Sequence, residues 1–229
     1  MKLAKNLLSF FYPRMCVACG DALQQNETSI CIECMLHLPE TGCHKERDNP
    51  LRSVFDGRAR VEEVAALMSY SKDNKVQKIL HGLKYGGQKE VGEVLGEYYG
   101  KQLAAEERFS QAGCIVPVPL HRRKLRKRGY NQSEWIARGL SKAMHIPYVT
   151  GVLVREDYTE TQTKKSRYAR WMNVKEVFAV KNGEKIAGLH VILCDDVLTT
   201  GATAEAAIHK LEEIPGVKVS VVTLAAVVY

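Results

Sequence analysis

One run of fourteen residues constrains this chain more than any other: His190-Val-Ile-Leu-Cys-Asp-Asp-Val-Leu-Thr-Thr-Gly-Ala-Thr203. Val191 to Cys194 reads as a buried parallel strand, because both faces of such a strand are covered and its residues run apolar without alternation. Asp195 and Asp196 stand where that strand is expected to end. Thr199, Thr200, Gly201, Ala202 and Thr203 then lead into a helical run, Ala204 to Leu211. In open α/β sheets ligands bind beyond the carboxyl ends of strands. Free N–H groups at a helix start attract a phosphate, and a glycine lets the backbone come close to it. Ionised carboxylates only accept hydrogen bonds, so the acid pair suits a different part of the ligand, vicinal ribose hydroxyls.

Four of the seven cysteines are paired in sequence, as Cys16-Val-Ala-Cys19 and Cys31-Ile-Glu-Cys34. Two C-x2-C knuckles suit tetrahedral zinc, since each offers two thiolates from a tight turn. Roughly forty residues around them are too few for an unaided core, so a metal would do the folding. A disulfide pair and a redox C-x2-C stay open as alternatives, the latter being usually single and near a βαβ unit. Cys43, His44 and His37 are spare ligand candidates. Cys114 and Cys194 read as core residues.

The net charge of +7 is unevenly placed. Residues 114–180 hold 14 lysines and arginines against 5 acids, so this segment carries the whole basic excess. Such a field favours polyanions, whether a pyrophosphate-bearing substrate or a nucleic-acid backbone. No apolar run approaches the ~20 residues that span a bilayer, so membrane insertion is not expected. The start of the chain reads as a short amphipathic helix over residues 1–15 in a cytoplasmic protein, without a small-residue cleavage site.

In order along the chain, the knuckle module is expected to occupy residues 1–44 with that helix. A polar link, Lys45 to Arg52, separates it from an α/β domain over residues 53–229. Val61 to Tyr70 reads as a strand, Asp73 to Lys84 as a helix with Val76, Ile79, Leu80 and Leu83 on one stripe. Gly86-Gly87 breaks it, and Lys84-Tyr85-Gly86 has no evident mechanism. A second helix spans Lys89 to Glu106, with Gly92, Gly96 and Gly100 on one face for a close neighbour. Cys114 to Pro119 is a buried strand, followed by six basic residues from Arg122 to Arg128. A helix runs from Tyr130 to Met144, with Trp135, Ile136, Leu140 and Met144 as its stripe. Val149 to Val154, Phe178 to Val180 and Val217 to Val228 complete the strands. Their alternation with helices predicts a parallel sheet with right-handed crossovers.

The acid pair with its threonine-glycine turn resembles the signature of type I phosphoribosyltransferases, which bind 5-phosphoribosyl-1-pyrophosphate (PRPP). The whole chain is narrower in its likeness. The double knuckle, Lys84-Tyr85-Gly86, Pro117-Val-Pro-Leu120 with the basic run, Arg128-Gly-Tyr-Asn-Gln132 and the PRPP turn together resemble the ComF family of competence-associated proteins. That resemblance implies the type I fold, a small N-terminal zinc module built on four cysteines, and phosphoribosyl transfer or binding with pyrophosphate release. It implies Asp195 and Asp196 on the ribose, and Thr199 to Thr203 on the 5′-phosphate. Pyrophosphate falls to Leu120, His121, Arg122 and Arg123 after the first core strand. A closing loop holds Gln162, Lys164, Arg167 and Arg170. Magnesium accompanies PRPP, and zinc is structural. Further implied is work on imported single-stranded DNA beside a helicase, with a regulatory or vestigial PRPP site as the alternative to transferase activity. A glutamine amidophosphoribosyltransferase is not expected, since the chain is short and opens Met1-Lys2 rather than with a cysteine nucleophile.

Overall fold

The computed structural model describes residues 13–71, 74–155 and 177–228. The expected helix over 1–15 lies almost wholly outside them, and the closing-loop candidates Gln162, Lys164, Arg167 and Arg170 lie outside entirely.

Four parallel strands make the central sheet, in the order β1 (Val64–Ser69), β6 (Lys218–Ala226), β5 (His190–Leu198) and β2 (Cys114–Pro117). Their apolar runs are buried on both faces, as a parallel sheet between helix layers requires. Ile192, Cys194, Val222 and Leu224 face one buried cluster, and Val191, Leu193, Val219 and Val221 face another. β5 is longer than its apolar run predicts. Its ladder with β6 continues through Asp195↔Thr223, Val197↔Ala225 and Leu198↔Ala226. The acid pair is therefore inside the last turn of pairing rather than beyond it, because the length of β6, not the hydrophobicity of β5, sets where the ladder stops.

The first cluster is roofed by α2 (Asn74–Tyr85), α3 (Glu90–Ala104) and α6 (Gln132–Met144). Val76, Ile79, Leu80 and Leu83 are all buried there, as their spacing predicts. α3 stops before Glu106, and a separate turn, α4 (Glu107–Ser110), follows. The glycine face of α3 lies against α6. A Cβ at Gly96 would stand 2.4 Å from the Ile136 carbonyl oxygen, and one at Gly139 would stand 2.1 Å from that of Glu93. The two helices are in backbone contact, and no side chain fits between them.

The second cluster is covered by α7 (Ala202–Leu211) and by the turn Pro50–Phe55, whose Leu51 and Phe55 are buried. The segment read as a polar link is exposed over residues 45–48 but anchored at its end by buried Asn49 and Leu51. Asn49, also buried, donates to the carbonyls of Cys43, Glu46 and Val64 and ties the segment to β1. Ahead of it, a short helix α1 (Ile32–Leu36) carries Cys34, and Cys16, Ala18 and Ile30 join it in the first cluster. A Cβ at Gly82 of α2 would meet Val17 Cγ2 at 2.3 Å, so the cysteine module sits directly on that helix.

Two further segments depart from expectation. The Val149–Val154 strand is displaced: only Tyr148 bridges to Ile115, while β3 (Leu153–Arg155) pairs antiparallel with β4 (Phe178–Val180) as a separate ribbon. The stretch after β2 is not a loop through Arg123. It becomes α5 (Arg122–Arg128), started by His121, whose Nδ1 accepts from the Arg123 N–H at 3.1 Å, and closed by Gly129 at φ +79°. No residue of α5 is buried. Among the described residues no helix is long and apolar enough to cross a membrane.

Since Gly139 touches backbone on its open side, Gly139→Ala cannot be absorbed by a rotamer change. Overpacking of this kind costs about 1–3 kcal/mol, and urea unfolding should place this variant at the upper end. A loss below ~0.5 kcal/mol would mean that α3 and α6 are not in backbone contact.

Candidate functional site

The acid pair is held from two different helices. Asp195 Oδ1 accepts from Ser133 Oγ at 2.9 Å, in the first turn of α6, and from the Asp196 N–H at 2.8 Å. Asp196 is 3% exposed, and its Oδ1 lies 2.9 Å from Lys84 Nζ at the end of α2. Its other oxygen, Oδ2, is buried with no hydrogen-bond partner among the described residues. Burial, then the negative charge of Asp196, push the Asp195 carboxyl up to about 7, against the opposing pull of the Asp196 N–H, Ser133 and Lys84.

After Leu198 the chain turns through Thr199 and Thr200 to Gly201, which caps α7 at φ +75°. A Cβ on Gly201 would fall 2.4 Å from Val54 Cγ1, so the Pro50–Phe55 turn presses on the loop from behind. Arg58 clamps it from the same side. Its guanidinium donates to the Thr200 carbonyl at 2.7 Å and to the Val54 carbonyl at 3.0 Å, and it pairs with Glu205 in the first turn of α7. Asp195, Thr199, Thr200, Gly201, Ala202 and Thr203 line one cavity of about 40 Å³. Six of the seven residues assigned to the sugar phosphate are thereby brought together, and the seventh, Asp196, is the neighbour of Asp195. A water needs roughly 10–15 Å³ by this kind of measure, so the cavity suits a group the size of a few waters, such as a phosphate against the first N–H groups of a helix.

The residues assigned to pyrophosphate lie one strand over, at the carboxyl end of β2, which pairs directly with β5. Leu120 and Arg122 line a separate cavity of about 640 Å³ with Glu134, Arg155 and Lys181. His121 is engaged as the cap of α5, and Arg123 is exposed on its first turn. Three residues that sequence reasoning did not assign are central to the geometry: Lys84, Ser133 and Arg58. Lys84 had a signal, the unexplained Lys84-Tyr85-Gly86 break. Tyr130, in the Gly-Tyr-Asn-Gln segment, donates its hydroxyl to the Leu83 carbonyl at 2.5 Å and so fixes the backbone beside Lys84. Asn131 caps α6 and donates to the Val118 carbonyl, placing Ser133 over β5.

Against the C-terminal part of α2, where Val17 meets Gly82, the sulfurs of Cys16, Cys19, Cys31 and Cys34 all lie within 4.8 Å of one another. Cys19 and Cys31 are 3.8 Å apart, which is about the edge of a tetrahedron with 2.3 Å zinc–sulfur bonds. Backbone N–H groups point at the sulfurs of Cys16, Cys19 and Cys31. At Cys16 burial raises the thiol pKa, but the amides around it outweigh this and bring it down to about 7. The four sulfurs converge on one point, as a shared metal requires and two separate disulfides would not need. The cluster fits a thiolate-bound metal such as zinc. The spare candidates stand apart: Cys43 is packed in the second buried cluster, His44 is edge-on to Tyr99, and His37 contacts the Glu33 carbonyl.

The chain is similar to several known proteins. The family described as "Phosphoribosyl transferase domain" matches residues 130–228. The DNA utilization protein YhgH of Escherichia coli (strain K12) is 26% identical over 192 residues, which are 82% of this chain and 80% of that protein. Competence protein F of Haemophilus influenzae is 35% identical over 91 residues, 39% of this chain and 40% of that one. Competence protein ComFC of Bacillus subtilis (strain 168) is 35% identical over 99 residues, 43% and 38% respectively.

Two outcomes test the site as built. Elemental analysis of the purified chain should give one zinc per chain, and Cys34→Ser should lower both metal content and thermal stability; a variant with full metal would remove Cys34 from the ligand set. Asp195 titrates above its unfolded value, so its protonated form stabilises the fold below about pH 4 and that contribution is lost as pH rises towards 7. Urea unfolding of Asp195→Asn should therefore gain on the parent chain between pH 5 and pH 8. A difference that does not change with pH would show that the carboxyl is not raised.

Proposed function

We propose that this chain is a phosphoribosyltransferase-like protein of the ComF family, as the matched residues 130–228 and the likeness to competence proteins support, and that it binds PRPP at the carboxyl ends of β5 and β2 and transfers its phosphoribosyl group with release of pyrophosphate. The observation that carries this reading is the one cavity shared by Asp195 and Thr199 to Thr203, beside a buried carboxylate with an oxygen left over. Asp195 and Asp196 accept from the ribose hydroxyls, Asp196 through its unpartnered Oδ2. The N–H groups opening α7, with the threonine hydroxyls, take the 5′-phosphate. Leu120, His121, Arg122 and Arg123 hold the pyrophosphate, where the guanidinium forks suit phosphate oxygens. Gln162, Lys164, Arg167 and Arg170, outside the described residues, are the candidates for excluding water from the reacting centre.

In the reaction the acceptor bonds to C1 of the ribose as the C1–oxygen bond to pyrophosphate breaks. The chain's contribution is position and electrostatics. The oxygen-rich lining suits a hard cation, and magnesium carried by PRPP would neutralise charge on the departing pyrophosphate. Zinc in the four-cysteine module has a structural part. The relatives' names, DNA utilization protein and competence protein, support a link to DNA; in this reading the chain works in the cytoplasm, with single-stranded DNA and a helicase as partners. A second reading, a DNA-processing factor whose PRPP site is regulatory or vestigial, is favoured by one feature: the six cations of α5 stand on a helix with no buried residue.

Calorimetric titration with PRPP and magnesium is the test. The parent chain should bind, and Asp196→Asn should bind at least tenfold more weakly, in line with about 1.5–3 kcal/mol for a hydrogen bond to a charged group. Absence of binding would end the proposal. Affinity should rise with pH between 6 and 8, by up to about tenfold per unit, as Asp195 ionises, and this slope should vanish in Asp195→Asn. Pyrophosphate release with candidate acceptors separates the transferase from the regulatory site.

A further inference from the structure

The peptide that joins Thr200 to Gly201 is held from behind by one side chain. A single nitrogen of the Arg58 guanidinium donates to the Thr200 carbonyl at 2.7 Å and to the Val54 carbonyl at 3.0 Å, while the other terminal nitrogen pairs with Glu205. A trans peptide is planar, so its carbonyl and its N–H point in opposite directions, and among the described residues no peptide is cis. Fixing the Thr200 oxygen on Arg58 therefore turns the Gly201 N–H the other way. Gly201 is buried and lines the cavity of Asp195 and Thr199 to Thr203. Its N–H has no acceptor among the described residues.

The fold alone gives this arginine little to do. Its side chain is 38% exposed, and exposed ion pairs add little to stability. What it does fix is the back of the loop. Val54 is tied to Arg58 through its carbonyl, and its side chain stands where a Cβ on Gly201 would fall, so the loop cannot retreat from a ligand in front of it. Charge acts in the same direction. Glu205 lies in the first turn of α7, where a bare carboxylate would repel a phosphate, and Arg58 offsets it. Arg58 also lies outside residues 130–228, the part that matches the phosphoribosyl transferase domain. The loop belongs to that part, and the residue that holds it comes from the segment between the cysteine module and β1.

We propose that Arg58 is a positioning residue for the 5′-phosphate: by holding the Thr200 carbonyl it aims the Gly201 N–H into the cavity, where that group joins the free N–H groups opening α7 on the phosphate oxygens. The proposal rests on the PRPP reading above. Arg58 acts through the peptide and does not touch the ligand. Residues 50–58 are then the back plate of the phosphate site as well as a connection between two parts of the chain.

The experiment uses the full-length, zinc-loaded chain, with ribose 5-phosphate and magnesium pyrophosphate as separate probes in calorimetry and amide NMR. The parent chain should bind ribose 5-phosphate, and the Gly201 amide proton should move downfield as it does. Arg58→Met should weaken ribose 5-phosphate at least tenfold and abolish that movement. Its pyrophosphate affinity should stay within twofold of the parent's, which also shows the variant folded. Adding Glu205→Gln to Arg58→Met should not restore the loss, since removing the bare carboxylate does not turn the peptide back. The proposal is overturned if Arg58→Met binds ribose 5-phosphate as the parent does, or if the Gly201 movement persists in it. It is equally overturned if both probes weaken alike, or if the double variant regains the parent's affinity, in which case Arg58 only offsets a charge. Should the parent chain bind neither ribose 5-phosphate nor PRPP, the underlying reading has failed and this proposal goes with it.

Discussion

A buried carboxylate must be paired or it will not stay charged, and the contact between Lys84 and Asp196 meets that demand here. Its consequence is geometric. Asp196 sits on β5 near the loop that leads to α7, and Lys84 ends α2, so the pair locks the end of a helix to the end of a strand. On the strand side this fixes the cavity of Asp195 and Thr199 to Thr203. On the helix side it fixes the last turn of α2, against which Val17 of the cysteine module packs. Removing one partner of such a pair costs about 3–5 kcal/mol because the other is left uncompensated. That penalty holds the end of α2 on β5, and the Tyr130 hydroxyl on the Leu83 carbonyl takes up what freedom the backbone would retain.

The other acid depends on packing farther away. Ser133 reaches Asp195 only because α6 begins where it does, and α6 is placed by its glycine contacts with α3. Gly96, Gly100 and Gly139 have no part in the chemistry, yet they set the separation of two helices to backbone contact. A glycine in a helix costs about 1 kcal/mol against alanine, and four at one interface, Gly92 included, are tolerated because the close approach buries both helices against the sheet. Raised by burial and by its charged neighbour, Asp195 is then a group whose ionisation a ligand with hydroxyl donors would favour.

How much of this could be read from residues alone follows from the range of each interaction. The stripe Val76, Ile79, Leu80 and Leu83 was legible because helical burial repeats locally. So was the set of four cysteines, since each knuckle is a local turn. The end of β5 was not legible, because its partner β6 sets it. α5 was not legible either: a run of lysines and arginines has no apolar stripe, and the helix is held by a His121 cap and Gly129 at its ends. The Lys84–Asp196 and Arg58–Thr200 contacts join residues more than a hundred positions apart. Neither has a periodicity to betray it. Lys84-Tyr85-Gly86 stood out only as a break in a helix, and its meaning came from what the fold set opposite it.

The same accounting explains how an anion can approach a site that contains so many acids. Asp195, Asp196 and Glu205 all lie within the span 195–205, and three carboxylates would repel a phosphate placed at the start of α7. Each is offset separately. Lys84 neutralises Asp196, burial holds Asp195 partly protonated near neutral pH, and Arg58 pairs with Glu205 while gripping the Thr200 carbonyl. What faces the opening at the loop is then the helix end with its free N–H groups, and the six cations of α5 follow β2, one strand away. The acids remain available as hydrogen-bond acceptors without dominating the potential. A ligand with a phosphate at one end, hydroxyls in the middle and a pyrophosphate towards the basic segment matches that sequence of charges in order along the sheet edge.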